Sequence, residues 1–209
     1  MCLLQKCHMH FQYYLILLGI FILLIPACPG ENDTNWYDTG VILLNQSKYS
    51  EATDAFTNAT NNDPNNTWAW LNLGKSLQGE NLTTASYNAF RNASKVDSNN
   101  TWAWIFQGNY LQNLGQTTKA ISLYKKAILT DPSNAWGYYH LGTAQQKMAR
   151  YSEAQQAFYE SLRLDPGNEW GWYNLAIVQK SIGNYTGYSL NLNQAVTLDP
   201  ELPKKVGLA

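Results

Sequence analysis

Between residues 33 and 202 this chain contains no cysteine; its three cysteines, Cys2, Cys7 and Cys28, all precede that stretch. No disulfide framework can hold the region together, so its fold rests on packing alone. Histidine is almost as scarce, with His140 the one copy after residue 28. No group of His, Cys and carboxylate residues has metal-ligand spacing, and G-x-S-x-G, P-loop and dinucleotide fingerprints are all missing. Glu153 and Glu160 stand seven residues apart, too distant and too exposed for an acid/base pair, and His140 reads as a surface or groove residue. Neither catalysis nor a cofactor is expected. Charged residues make up 14% of the chain and the net charge is −1. No basic face exists to release counterions, so nucleic acid is excluded as a partner.

What the chain does have is a period. Asp131-Pro132, Asp165-Pro166 and Asp199-Pro200 fall 34 residues apart, Asp63-Pro64 is in register, and the intervening copy is Asp97-Ser98. Alignment on these pairs gives five units, 33–66, 67–100, 101–134, 135–168 and 169–202. The fourth residue of each is a large aromatic (Trp36, Trp70, Trp104, Tyr138, Trp172) and the eighth is small (Gly40, Gly74, Gly108, Gly142, Ala176). Position 24 reads Phe56, Phe90, Tyr124, Phe158, Leu192, and position 27 reads Ala59, Ala93, Ala127, Ser161, Ala195. Each unit holds two apolar-periodic segments separated by a polar turn, such as Gly79-Glu80-Asn81, Gly115-Gln116 or Gly183-Asn184, which predicts a helix–turn–helix. Proline closes a unit because it cannot continue a helix. Thr67 and Thr101 are predicted N-caps. Ser98 in place of proline and Ser86 at the crowded position 20 predict looser packing in the second unit, and Tyr188 at that position predicts a tilted helix in the fifth.

This spacing resembles the tetratricopeptide repeat (TPR), whose aromatic, Leu-Gly, Ala, Phe, Ala and Pro positions it follows in nearly every unit. The resemblance implies an all-α fold, a right-handed superhelical solenoid of five TPR units and ten helices. Residues 203–209 are then a C-terminal tail, too short for the closing helix that such arrays usually carry, which leaves self-association through the uncapped fifth unit, or fraying of that end, as the alternatives. It also implies a protein or peptide partner held in a concave groove by the second, fifth, ninth and twelfth residues of each unit. Those positions carry Trp68, Trp102, Trp136 and Trp170, then Tyr139 and Tyr173, then Asn109, with Gln112 and Gln146 at the twelfth. The basic clamp with which some TPR domains take acidic chaperone tails is missing, since Tyr37, Val41, Trp68 and Asn72 occupy its places. The same aromatics suit stacking against sugar rings, and a third alternative is a self-assembling array without a groove ligand.

The amino terminus carries an apolar run, Tyr13–Ala27, preceded by Lys6. It is short for a membrane span and fits a secretory signal. The run ends in Leu24-Ile25-Pro26-Ala27-Cys28, which looks like a lipobox whose cleavage frees Cys28 for acylation; a simple cleaved signal and an uncleaved anchor are the alternatives. The expected layout is a signal or membrane anchor at 1–28, a linker at 29–32 and the array at 33–202, displayed outside the cytoplasm on the membrane. N-x-S/T sequons occur at Asn32, Asn45, Asn58, Asn65, Asn81, Asn92, Asn99 and Asn184, a glycosylation pattern that requires export. A lipobox-like junction with many sequons resembles archaeal surface proteins. Charge is uneven: residues 31–66 hold Glu31, Asp33, Asp38, Glu51, Asp54 and Asp63 against Lys48 alone.

Overall fold

The computed structural model describes residues 35–207. The apolar run, the boundaries at 28 and 32, Cys28 and Asn32 lie outside the described residues. Eleven helices follow in order: α1 (Trp36–Asn45), α2 (Tyr49–Asn62), α3 (Thr67–Gly79), α4 (Thr83–Val96), α5 (Thr101–Asn113), α6 (Thr117–Thr130), α7 (Ala135–Lys147), α8 (Tyr151–Leu164), α9 (Glu169–Ser181), α10 (Tyr185–Leu198) and α11 (Leu202–Lys205). Each helix packs on the next, first helix against second within a unit and second against first between units, giving a solenoid. No helix among the described residues is long and apolar enough to cross a membrane.

A ring laid on a glycine joins the two helices of each unit. A methyl group added at Gly40 would meet Phe56 at 2.7 Å, and one at Gly142 would meet Phe158 at 2.8 Å. Gly74 and Gly108 stand in the same relation to Phe90 and Tyr124. Rings at position 24 are fully or almost fully buried in the first four units, and hiding each contributes roughly 1.5–3 kcal/mol. The fifth unit changes both positions, to Ala176 and Leu192.

Turns within units share one geometry. The fifteenth residue has positive φ in all five units: Ser47 (58°), Asn81 (62°), Gly115 (76°), Ala149 (57°) and Gly183 (81°). The amide that follows it donates to the carbonyl five residues back, from Lys48 to Leu43 through Asn184 to Gln179, at 2.8–3.0 Å. This is the Schellman closure of a helix end. Ser47 and Ala149 adopt a conformation that costs an L-residue roughly 1–2 kcal/mol.

Turns between units are defined by aspartate more than by proline. Asp63, Asp97, Asp131, Asp165 and Asp199 each accept, through Oδ1, the amide two residues on, at 2.9–3.1 Å. Asp97 does so although Ser98 follows it, which is why the copy lacking proline still turns. The predicted caps Thr67 and Thr101 are instead the first helical residues, one place late. Asn66, Asn100, Asn134 and Asn168 cap α3, α5, α7 and α9, accepting amides of the first turn at 2.9–3.4 Å. Asparagine accepts as well as threonine and leaves the next residue free to enter the helix. Trp70, Trp104 and Trp172 then donate their indole N–H to the carbonyls of Pro64, Ser98 and Pro166 at 2.8–2.9 Å, pinning the turn six residues upstream.

Two further expectations change. Ser86 does not loosen the second unit: it is buried, and its hydroxyl donates to the Gly74 carbonyl at 2.8 Å, satisfying both groups. The tail is not wholly irregular, because α11 adds one turn in which Leu202 is fully buried, Pro203 needs no partner for an amide it lacks, and Lys205 reaches Asp199 at 2.6 Å. One turn covers little of α10, where Tyr185 and Leu190 are each 67% exposed.

These two backbone devices predict opposite outcomes for exchanges of the same size. Ala149→Gly should raise stability by about 1 kcal/mol by relieving the left-handed backbone. Gly142→Ala should lower it by about 1–2 kcal/mol by pushing Phe158 away. Urea midpoints from circular dichroism decide; a lower midpoint for Ala149→Gly refutes the assignment of strain.

Candidate functional site

The first helices of neighbouring units touch one another, α1 with α3, α5 with α7 and α7 with α9, and no pair of second helices packs comparably. The first helices therefore form the inner, concave layer. Exposed residues of that layer line the groove. Trp68 is 54% exposed, Trp136 42% and Trp170 37%, so these indoles are open to a ligand. Trp102 is half-buried against the cluster formed by Leu71, Phe90, Ala93 and Ala103, and so also ties its unit to the one before. Among the described residues no ring contact joins one of these four tryptophans to the next, and the expected stripe is a row of separate platforms.

The rows alternate. At the sixth position, Phe106 stacks on Phe90 of the preceding unit (4.7 Å, 27°) and under Trp102 (5.8 Å). One unit on, His140 stacks on Tyr124 (5.6 Å, 19°) and meets Trp136 (6.0 Å) and Tyr139 (5.3 Å). In the second and fifth units the sixth residue is Asn72 or Asn174, whose amide donates to Tyr37 or Tyr139 at 3.3 and 3.2 Å. Sequence reasoning missed this sixth position. Its signal was present, since positions 2 and 6 are one helical turn apart and share a face.

Two of the predicted amides share one donor. The Tyr124 hydroxyl lies 2.7 Å from Asn109 Oδ1 and 3.0 Å from Gln112 Oε1, and with its single proton it donates to one of the two at a time. Burial holds the Tyr124 phenol well above its ordinary range. Tyr139 and Tyr173 are half-buried, each edge-on to the tryptophan three residues earlier, at 5.6 and 6.1 Å, and Gln146 of α7 is half-buried. Leu71 and Ile105, at the fifth position of their units, are buried and unavailable to a ligand. A shallow cleft lined by Lys125, Tyr138, Gln145, Arg150 and Glu153 lies on the opposite side of α7. Among the described residues no group of three or more His, Cys, Asp or Glu is placed to hold a metal ion.

Comparison with known proteins agrees with this architecture. Residues 108–148 match the family described as TPR repeat, and residues 137–168 the one described as tetratricopeptide repeat. A crystal structure of MamA is similar at TM-score 0.67 and 19% identity, covering 79% of this chain and 96% of that one. MamA from Desulfovibrio magneticus RS-1 gives TM-score 0.70 and 16% identity over 82% of this chain and 97% of that one. YrrB, described as a TPR protein with an unusual peptide-binding site, gives TM-score 0.62 and 17% identity over 80% and 87%. No curated protein matches. The fold is that of a tetratricopeptide repeat array.

His140 gives the groove a pH dependence. Burial among rings lowers its pKa from 6.5 to about 4. The unfolded chain then binds this proton first, so stability is complete above pH 6.5 and is lost as pH falls toward 4, by at most about 3 kcal/mol. His140→Phe, which copies Phe106 of the preceding unit, should hold its melting temperature better than the parent between pH 6.5 and 4.5. Identical acid sensitivity of the two proteins in thermal melts refutes the assignment.

Proposed function

We propose that this chain is an extracytoplasmic, membrane-tethered scaffold that holds an extended segment of another protein in its concave groove. The observation that carries the reading is the row of open indoles, Trp68, Trp136 and Trp170, each on a first helix and each held by a repeated scaffold. Large rings with a polar handle concentrate binding energy when they are covered. Trp102, Tyr139 and Tyr173 extend the platform, and Asn109, Gln112 and Gln146 fix register against a peptide backbone. The peptide-binding site named for YrrB, a protein of similar fold, supports a peptide ligand.

The tether is the segment before the array. Its apolar run, Lys6 and the junction at Cys28 support export with acylation of Cys28, and the sequons support display where glycans are added. Asn45, Asn65, Asn81, Asn99 and Asn184 are exposed, as an accessible sequon requires. Asn58 and Asn92 are half-buried, and the hydroxyls that complete their motifs, Thr60 and Ser94, are buried and bonded to the carbonyls of Thr57 and Arg91. Glycans at those two sites would have to precede folding. A second reading, self-association, is favoured by α10, which carries no charged residue and exposes Tyr185, Leu190 and Leu198.

Pull-down from solubilised native membranes should recover one dominant polypeptide, and the Trp102→Ala/Trp136→Ala double variant should lose it. Quenching of tryptophan emission by envelope oligosaccharide, with no polypeptide recovered, favours a glycan ligand instead. Intact mass of the native protein should report cleavage before Cys28, a lipid adduct and glycans; an unmodified full-length mass refutes the tether as described. Light scattering of that material tests self-association, which a mass independent of concentration and equal to one chain rules out.

A further inference from the structure

Four of the five units carry tryptophan at position 4, and the first three carry leucine at position 11. The fourth unit departs at both places, with Tyr138 and Gln145. The fifth also has a glutamine at position 11, Gln179, but keeps Trp172, so the two changes coincide in the fourth alone. Both fall with Leu141 on one stripe of α7, and there the surface away from the groove opens into a cleft of about 380 Å³ between α6 and α8. Small-molecule sites occupy roughly 300–1,000 Å³, so the cleft is large enough to be one. Packing does not explain Gln145. It is 6% exposed, its amide donates to Glu153 at 3.2 Å, and its Oε1 has no partner. Leucine, as in Leu43, Leu77 and Leu111, would avoid that unpaired oxygen.

We infer that this cleft is a binding site for an uncharged saccharide, separate from the groove and independent of what the groove holds. Ser161 bonds the Ala135 carbonyl, Phe158 lies on Gly142 and Gln145 bonds Glu153, a register that sets Glu160 by Tyr138 and Ala157 by Leu141. The cleft thus has polar ends and an apolar middle. Its wall charges cancel, Lys125 and Arg150 against Glu153 and Glu160, so an ion of either sign gains no net attraction. A sugar hydroxyl is donor and acceptor at once and finds both kinds of partner at the ends, while the C–H face of the ring suits Leu141, Ala157 and the Tyr138 ring. Gln156, exposed on α8, adds an amide donor and acceptor to the same wall. From Tyr138 to Gln145 the floor runs about 10 Å along α7, which fits two linked sugar rings better than a free amino acid.

The test uses the full-length chain in a polyoxyethylene detergent, which has no sugar headgroup, and saturation-transfer NMR with maltose, cellobiose, lactose and mannobiose. At least one of these neutral disaccharides should bind at millimolar concentration. Tyr138→Trp/Gln145→Leu gives the fourth unit the residues of the first three. It should melt cooperatively and bind at least about tenfold more weakly, as expected for a filled cleft with fewer polar contacts. If that variant does not melt cooperatively, Gln156→Ala decides in its place and should weaken binding about threefold, the loss of one neutral hydrogen bond. Trp102→Ala/Trp136→Ala, in the groove, should leave disaccharide affinity within about twofold, since distant sites act independently. Absence of disaccharide binding, or affinity unchanged in the deciding cleft variant, overturns the inference and leaves the groove function standing. Binding lost in the groove variant but kept in the cleft variant places the sugar in the groove and overturns it too. Tighter binding of leucine or glucuronate than of every disaccharide does the same.

Discussion

One aromatic ring in each of the first four units, at position 24, organises the molecule. One side of that ring lies on the glycine of its partner helix, which fixes how closely the pair can approach. In two units its other side receives the sixth residue of the next, as Phe90 receives Phe106 and Tyr124 receives His140. Helix pairing and unit stacking thus share one buried group. Tyr124 adds a third role, because its hydroxyl emerges beside Asn109 and Gln112. A change there would disturb the pair, the stack and the binding floor together, which is the coupling expected when neighbours share one partner.

The remaining structure keeps those rings in phase. Aspartate, asparagine and indole between units, and the left-handed fifteenth residue within them, convert a sequence period into an equal rotation at each step. None of these devices is worth more than about 1–2 kcal/mol alone. Their repetition makes the array regular, since each unit contacts only its neighbours and any irregularity is copied into the groove. Concave geometry follows from this regularity, and along it the first helices expose the indoles of Trp68, Trp136 and Trp170.

The ends break the pattern in different ways. α10 carries no charge and leaves Tyr185, Leu190 and Leu198 exposed, with a single turn of α11 over part of it. At the other end Asn35 is exposed where later units have buried Ala69, Ala103, Gly137 and Gly171. A bulky amide where the internal junction demands a small residue disfavours the addition of another copy at that end in the internal register.

The linear chain was enough to determine the period, the helix pairs and the small-residue and aromatic positions, because all of these depend on spacing along a helix of fixed pitch. It did not reveal that Asp97 rather than a proline makes its turn, that Asn66 and Asn100 displace Thr67 and Thr101 as caps, or that Leu71 and Ile105 are buried while Tyr139 stays half-open. Those outcomes depend on which atoms a neighbouring unit brings within reach. The position-6 stack, the approach of the Tyr124 hydroxyl to Asn109 and Gln112 and the reach of Lys75 and Lys147 to α5 were likewise decided by tertiary structure, since each joins residues of different helices whose separation along the chain carries no record of their distance in space.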